Sequence, residues 1–163
     1  GLQLQLLLYL AAALSRVPGS HAAGFFYCRI ADPTVKTESR IREEVEKQIA
    51  KKLSLQGISL SDVAILRAQG GSVASMVTKD GKPNGRYAAS MVDEAGMEKL
   101  LDFAKRKAAE LAGEIYRGEM DDSPVERGAF NACQNCEYSA ICAFDPMRKP
   151  RRRLTAKKLD DLL

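Results

Sequence analysis

Three of the chain's four cysteines fall within ten positions, in "ACQNCEYSAICAFD" (residues 132–145), as Cys133-x2-Cys136-x5-Cys142. A Cys-x2-Cys pair on a tight turn can aim both sulfurs at one point, and a third cysteine six residues on can close a loop over it. Tyr138, Ile141 and Phe144 are interleaved with the cysteines and would supply the apolar cover that an iron–sulfur centre needs against water. Three thiolates leave a four-ligand shell one donor short. Three uses compete. Disulfides need an oxidising compartment, and no intact secretion signal is read here. Structural zinc takes four protein ligands, usually from two paired knuckles; one Cys-x2-Cys pair is present, and the lone His21 lies over a hundred residues away. A cluster whose fourth donor lies elsewhere is the use that the spacing favours. Cys28 sits in an apolar run and reads as core packing. His21, in a Gly/Pro/Ser turn, reads as surface loop.

The 163 residues are enough for one domain with a core, and 45% apolar with 28% charged residues is ordinary for a soluble globular chain. The net charge of +4 permits a polyanionic partner without demanding one. The basic residues are uneven: "MRKPRRRLTAKK" (147–158) carries seven Lys or Arg in twelve positions. A solvated tail is the plain reading of such a run, and contact with DNA phosphate is the sharper one.

"GLQLQLLLYLAAAL" opens the sequence. It lacks the positive segment of a signal peptide, and it is shorter than the ~20 apolar residues of a membrane span. The expectation is a buried helix belonging to something longer. Over residues 2–15, Leu2, Leu6, Leu10 and Leu14 share a face. "GFFYCRI" (24–30) reads as a buried strand. "ESRIREEVEKQIAKKLSLQG" reads as a helix with Ile41, Val45, Ile49 and Leu53 in register, stopped by Gly57. "SLSDVAILRAQGG" reads as a short helix capped by Ser59 or Ser61. "SVASMVT" and "GRYAASMVD" read as strands flanking the turn "KDGKPN", as a hairpin or projecting loop. The longest helix spans roughly 93–117, with Met97, Leu100, Leu101, Ala104, Ala108, Leu111 and Ile115 as its stripe and Gly118 as its stop. "EMDDSPVERGAFNA" reads as a polar connector. The total is α/β with few strands.

Gln5 and Tyr9 add a second signal. At i, i+4 they share one face of an otherwise apolar helix, where an amide and a phenol must find partners. Together with the cysteines, this segment resembles the helix that follows the catalytic Asp…Asp/Glu-x-Lys hairpin in RecB-type nucleases of the PD-(D/E)xK superfamily, in which Gln-x3-Tyr is the last active-site motif. "GFFYCRIADP" resembles the next strand, and "PVERGAFNACQNCEYSAICAFDP" resembles the C-terminal iron–sulfur segment of the AddB family, the B subunits of bacterial ATP-dependent helicase/deoxyribonucleases. The resemblance covers nearly the whole chain and is loosest over residues 35–92.

The resemblance implies a partial restriction-endonuclease-like α/β core, helix-rich, over 1–130, an iron–sulfur segment over 131–147 and a basic tail over 148–163. It implies a Mg2+-dependent DNA exonuclease that works with an AddA-type helicase subunit in the cytoplasm, away from membranes, in recombinational repair of double-strand breaks. Gln5 and Tyr9 would orient the site or contact DNA. Cys133, Cys136 and Cys142 would bind a [4Fe–4S] cluster whose fourth cysteine lies upstream. Arg148, Lys149, Arg151, Arg152 and Arg153 would contact DNA. The Asp/Glu-x-Lys hairpin that should precede Gly1 is absent from this sequence, so the polypeptide by itself is expected not to hydrolyse DNA, to hold the cluster poorly and to self-associate through its uncovered leading helix. A small metal-stapled, non-enzymatic DNA-binding module is the alternative.

Overall fold

Leucine at every fourth position makes the first helix one-sided. In the computed structural model, which describes residues 4–36, 41–119, 121–142 and 144–154, α1 spans Gln5–Arg16 and ends ahead of Pro18 and Gly19. Leu6, Leu10 and Leu14 are half-buried along one face, and Gln5 and Tyr9 are exposed on another. The expected buried helix is thus only half covered, with no fully buried residue. Leu2 lies outside the described residues.

The chain divides into two compact units, residues 1–108 and 109–162. In the first unit, β1 (Gly24–Tyr27), β2 (Gln56–Leu60) and β3 (Met91–Val92) form a sheet in that order. β2 is antiparallel to β1 and parallel to β3. The central strand β2 is the element that sequence reasoning misses. Gly57, expected to stop a helix, instead lies inside β2 opposite Phe26. A Cβ there would stand 1.9 Å from the Phe25 carbonyl oxygen, so the strands approach as closely as they do because residue 57 has no side chain. β1 is shorter than expected. Its pairing ends at Tyr27↔Gln56, and Cys28 just beyond it is exposed, which corrects its assignment to the core.

α2 (Arg42–Lys52) half-buries Val45 and Ile49, and Ile41 stays exposed. Residues 38–40 of that expected helix lie outside the described residues. α3 (Val63–Gln69) is capped by Asp62, whose carboxylate accepts from the Ile65 amide at 3.0 Å. Neither Ser59 nor Ser61 is the cap. Ser59 is fully buried in β2, where its hydroxyl donates to Gln69 Oε1 at 2.8 Å, and Gln69 Nε2 donates to the Ala23 carbonyl at 3.2 Å. These bonds tie α3 to the sheet.

Of the two strands expected around "KDGKPN", the first is not formed, and the second is reduced to Met91–Val92, which is β3. Residues 71–74 make the short α4 (Gly71–Ala74), and Gly85–Ser90 is a 3-10 turn whose Asn84 side chain accepts from the Arg86 amide. Small Ala and Ser residues, without β-branched alternation, favour these tight turns. The turn itself is present, with Val77 bridged to Pro83. Leu66, Val73 and Met76 form the core beneath it, packed by Phe26, Leu55, Val77, Tyr87 and Met91.

α5 spans Glu94–Tyr116 and stops just before Gly118, as its sequence requires. Its stripe is buried over Met97, Leu100, Leu101 and Ala104, but Ile115 is 78% exposed, so the lower half of the expected stripe is not core.

In the second unit the expected connector is a small sheet. β4 (Val125–Arg127) and β5 (Phe130–Asn131) form a hairpin, and β6 (Arg152–Arg153) lies parallel to β4. The Arg152 amide donates to the Pro124 carbonyl at 3.0 Å, and that of Leu154 to Glu126 at 2.9 Å. Two residues of the basic segment, Arg152 and Arg153, are therefore in a strand, and residues 155–163 lie outside the described residues.

Candidate functional site

The helical repeat places Gln5 and Tyr9 one turn apart, and the two side chains meet: Gln5 Nε2 donates to Tyr9 Oη at 2.8 Å. Both residues are exposed. The phenol O–H and the amide carbonyl oxygen keep donor and acceptor capacity for a bound group. The demand for partners on this polar face is met within the helix.

The cysteine segment is built from consecutive tight turns. The Cys136 amide donates to the Cys133 carbonyl, that of Ser139 to Cys136, and that of Cys142 to Tyr138 at 2.8 Å. Asn131 Oδ1 accepts from the Cys133 amide at 2.8 Å and fixes the entry to the first turn. All four cysteines are free thiols; Cys133 and Cys136 are half-buried, and Cys142 is exposed. Soft thiolates on turns suit an iron–sulfur centre or zinc by donor type. The arrangement does not assemble them: among the described residues no three His, Cys, Asp or Glu side chains are gathered for a metal ion. The expected apolar cover is also lacking at two positions, since Tyr138 is 67% and Ile141 82% exposed. Only Phe144 is partly sheltered, with the Arg151 guanidinium 5.8 Å from its ring centre.

The five basic residues have different surroundings. Lys149 bonds both Asp121 and Asp122, across the loop that carries the cysteines. The Lys149 hydrogen bond is the largest cause holding the Asp121 carboxyl below its ordinary value, and the same contacts raise Lys149, Asp121 first and Asp122 second. Arg153 lies 4.0 Å from Glu126, and Arg148 lies 3.6 Å from Asp145. Arg151 turns toward Phe144, and its Nε is buried without a hydrogen-bond partner among the described residues. Arg152 is exposed on β6. Sequence reasoning missed the Lys149–Asp121–Asp122 clasp, although an acidic pair before the cysteines and a lysine after them signalled it. His21 is exposed, as expected of a loop residue, with Nδ1 3.5 Å from Glu94.

The family profile of the PD-(D/E)XK nuclease superfamily matches residues 1–143. The chain belongs to that superfamily. Nucleases of this superfamily typically depend on a divalent metal. Several curated relatives are each named as the B subunit of an ATP-dependent helicase/deoxyribonuclease. That of Alkaliphilus metalliredigens is 36% identical over 89% of this chain and 14% of its own length. That of Alkaliphilus oremlandii is 32% identical over 98% of the chain and 15% of its own. That of Desulforudis audaxviator is 35% identical over the whole chain and 15% of its own. The chain thus spans about one seventh of the length of these relatives. Gln5, Tyr9 and the three clustered cysteines fall inside the superfamily match, whereas Arg148–Arg153 lie beyond it and inside the Desulforudis alignment. Among the described residues no helix is long and apolar enough to cross a membrane.

Proposed function

We propose that this chain is a segment of the nuclease part of such a protein, acting in the cytoplasm with an AddA-type helicase partner to process DNA double-strand ends for recombinational repair. The observation that carries the reading is the superfamily match over 1–143 on a chain whose first helix presents an exposed, mutually bonded Gln5–Tyr9 pair. In this reading the pair lies beside the scissile DNA strand. The phenol O–H donates to a phosphate oxygen, and the Gln5 amide fixes the ring's orientation. Mg2+, held by carboxylates from outside this chain, would supply activated water and charge neutralisation at the phosphate. Cys133, Cys136 and Cys142 are proposed ligands of a [4Fe–4S] cluster, completed by a thiolate from outside the chain. Arg148, Arg152 and Arg153 are proposed DNA contacts, and Lys149 and Arg151 support the fold of the same unit.

A segment exchange tests this. The matching segment of the Alkaliphilus metalliredigens relative is replaced by this chain, and the complex with its helicase partner is assayed for cleavage of linear duplex DNA. Cleavage by the exchanged protein, lowered tenfold or more by Tyr9→Phe or Gln5→Ala with helicase activity intact, is the expected result. An exchanged protein that folds and unwinds DNA but does not cut it overturns the reading.

A further inference from the structure

The turn "KDGKPN" takes no part in the site above, yet it is a basic feature of the first unit held by several hydrogen bonds. Its base is closed by the Thr78 amide donating to the Lys82 carbonyl at 2.8 Å and the Asn84 amide donating to the Met76 carbonyl at 2.7 Å. Inside it, the Gly81 amide returns to the Thr78 carbonyl at 3.0 Å, and the Lys82 amide donates to Thr78 Oγ1 at 3.1 Å. Gly81 takes the left-handed conformation that the turn needs, with φ 74°. The two arms of the turn stand on buried Val73 and Met76, with Val77 and Tyr87 packed against the same core. The turn is thus held in one shape before any ligand arrives.

Its charges are all on the outside. Lys79, Lys82 and Arg86 are exposed, and Arg67 on α3 reaches the same place: a Cβ built on Gly81 would lie 3.5 Å from its Nη2. One carboxylate, Asp80, stands among these four cations. None of the four forms a salt bridge among the described residues, unlike Lys149, Arg148 and Arg153 in the second unit, which each face a carboxylate. Cations left free on a pre-shaped turn suit a repeating polyanion, because phosphate binding releases condensed counterions and need not first break internal ion pairs.

We propose that the 78–84 turn, with Arg67 and Arg86 beside it, is a contact for the phosphate backbone of DNA, separate from the basic segment at 148–153. The inference rests on the reading of the chain as part of a DNA nuclease. It adds a second place at which the DNA is held.

The test measures binding of the full chain to a short fluorescent DNA duplex by anisotropy over a range of salt concentrations. For Lys79→Gln/Lys82→Gln/Arg86→Gln, the slope of log K against log salt should fall by about 0.9 for each phosphate no longer neutralised, about 2.7 for all three. Lys79→Arg/Lys82→Arg should keep the unaltered slope. On the unaltered chain, DNA should protect Lys79 and Lys82 from acetylation, read by mass spectrometry, and leave Lys105 on α5 unprotected; this arm stands even where the triple variant fails to fold. An unchanged slope in a folded variant, equal acetylation of all three lysines, or a chain without affinity for DNA overturns the proposal. An unchanged slope beside an active segment-exchange enzyme removes this contact and leaves the proposed function standing. Protection beside an inactive exchange enzyme does the reverse.

Discussion

Replacing Gly57 with alanine is expected to break the seam between β1 and β2. The added Cβ would stand 1.9 Å from the Phe25 carbonyl oxygen, 2.8 Å from Phe26 Cα and 2.9 Å from the Phe25 carbonyl carbon. All three obstacles are backbone atoms, so no rotamer change relieves them. Ordinary contact begins near 3.5 Å, and the strands would have to part by about 1.5 Å. That opening takes the flanking hydrogen bonds beyond useful length. Two such bonds at about 1 kcal/mol each, with an overpacking strain of about 1 to 3 kcal/mol, give a cost of about 3 to 5 kcal/mol. A chain with a total stability of about 5 to 15 kcal/mol loses a large part of it. The chain has no tryptophan, so urea unfolding is followed by far-UV circular dichroism. At an m of about 2 kcal/mol/M the midpoint should fall by about 1.5 M or more. Gly85→Ala is the control: a Cβ there meets nothing within 4 Å, and its effect should stay within about 0.5 kcal/mol. A Gly57→Ala midpoint equal to that of the control would refute the close approach of β1 and β2.

Three other outcomes follow from named contacts. Asp62→Ala removes the side-chain acceptor of the Ile65 amide and should cost about 1 kcal/mol by urea unfolding, with Asp62→Asn costing less. The Lys149 clasp sets a pH window. Asp121 is held below its ordinary 3.8, so its contribution is present above that value and lost as pH falls through the lowered one. Lys149 is held above its ordinary 10.5, so its contribution is present below that value and lost as pH rises through the raised one. In Lys149→Met, the Asp121 carboxyl titration followed by carbon-13 NMR should move up toward 3.8; an unmoved midpoint would show the clasp to be open in solution. In the metal-free chain, exposed Cys142 should alkylate with iodoacetamide faster than half-buried Cys133 and Cys136, as read by peptide mapping, and equal rates would contradict the differing exposure.

The legibility of this chain follows the range of the forces involved. α1 and α5 could be read because their apolar spacing is local and their stops, Pro18 and Gly118, act on the adjacent backbone. β2 was hidden because its Gly57 and Ser59 look like turn and cap residues. Both are placed by partners far away in sequence, Gly57 by the backbone of β1 and Ser59 by Gln69 and the strand before it. The lower part of the α5 stripe shows the converse. A helical period fixes which residues share a face, but not whether that face is covered, and Ile115 is not.

The same distinction runs through the candidate site. The Gln5–Tyr9 pair is one helical turn, and its hydrogen bond follows from spacing alone. The cysteine spacing yields tight turns, as it should, but gathering the sulfurs requires forces that local spacing does not encode. What closes the cysteine loop is a pair of non-local devices, the β4–β6 pairing and the bonds from Lys149 to Asp121 and Asp122. Charge count alone treats Lys79 and Lys149 as equals. The difference lies in the carboxylates: Lys149 faces two across its own loop, and the exposed lysines of the 78–84 turn form no salt bridge among the described residues. A basic run in a sequence thus measures how much positive charge is present, and the fold decides how much of it remains for a partner.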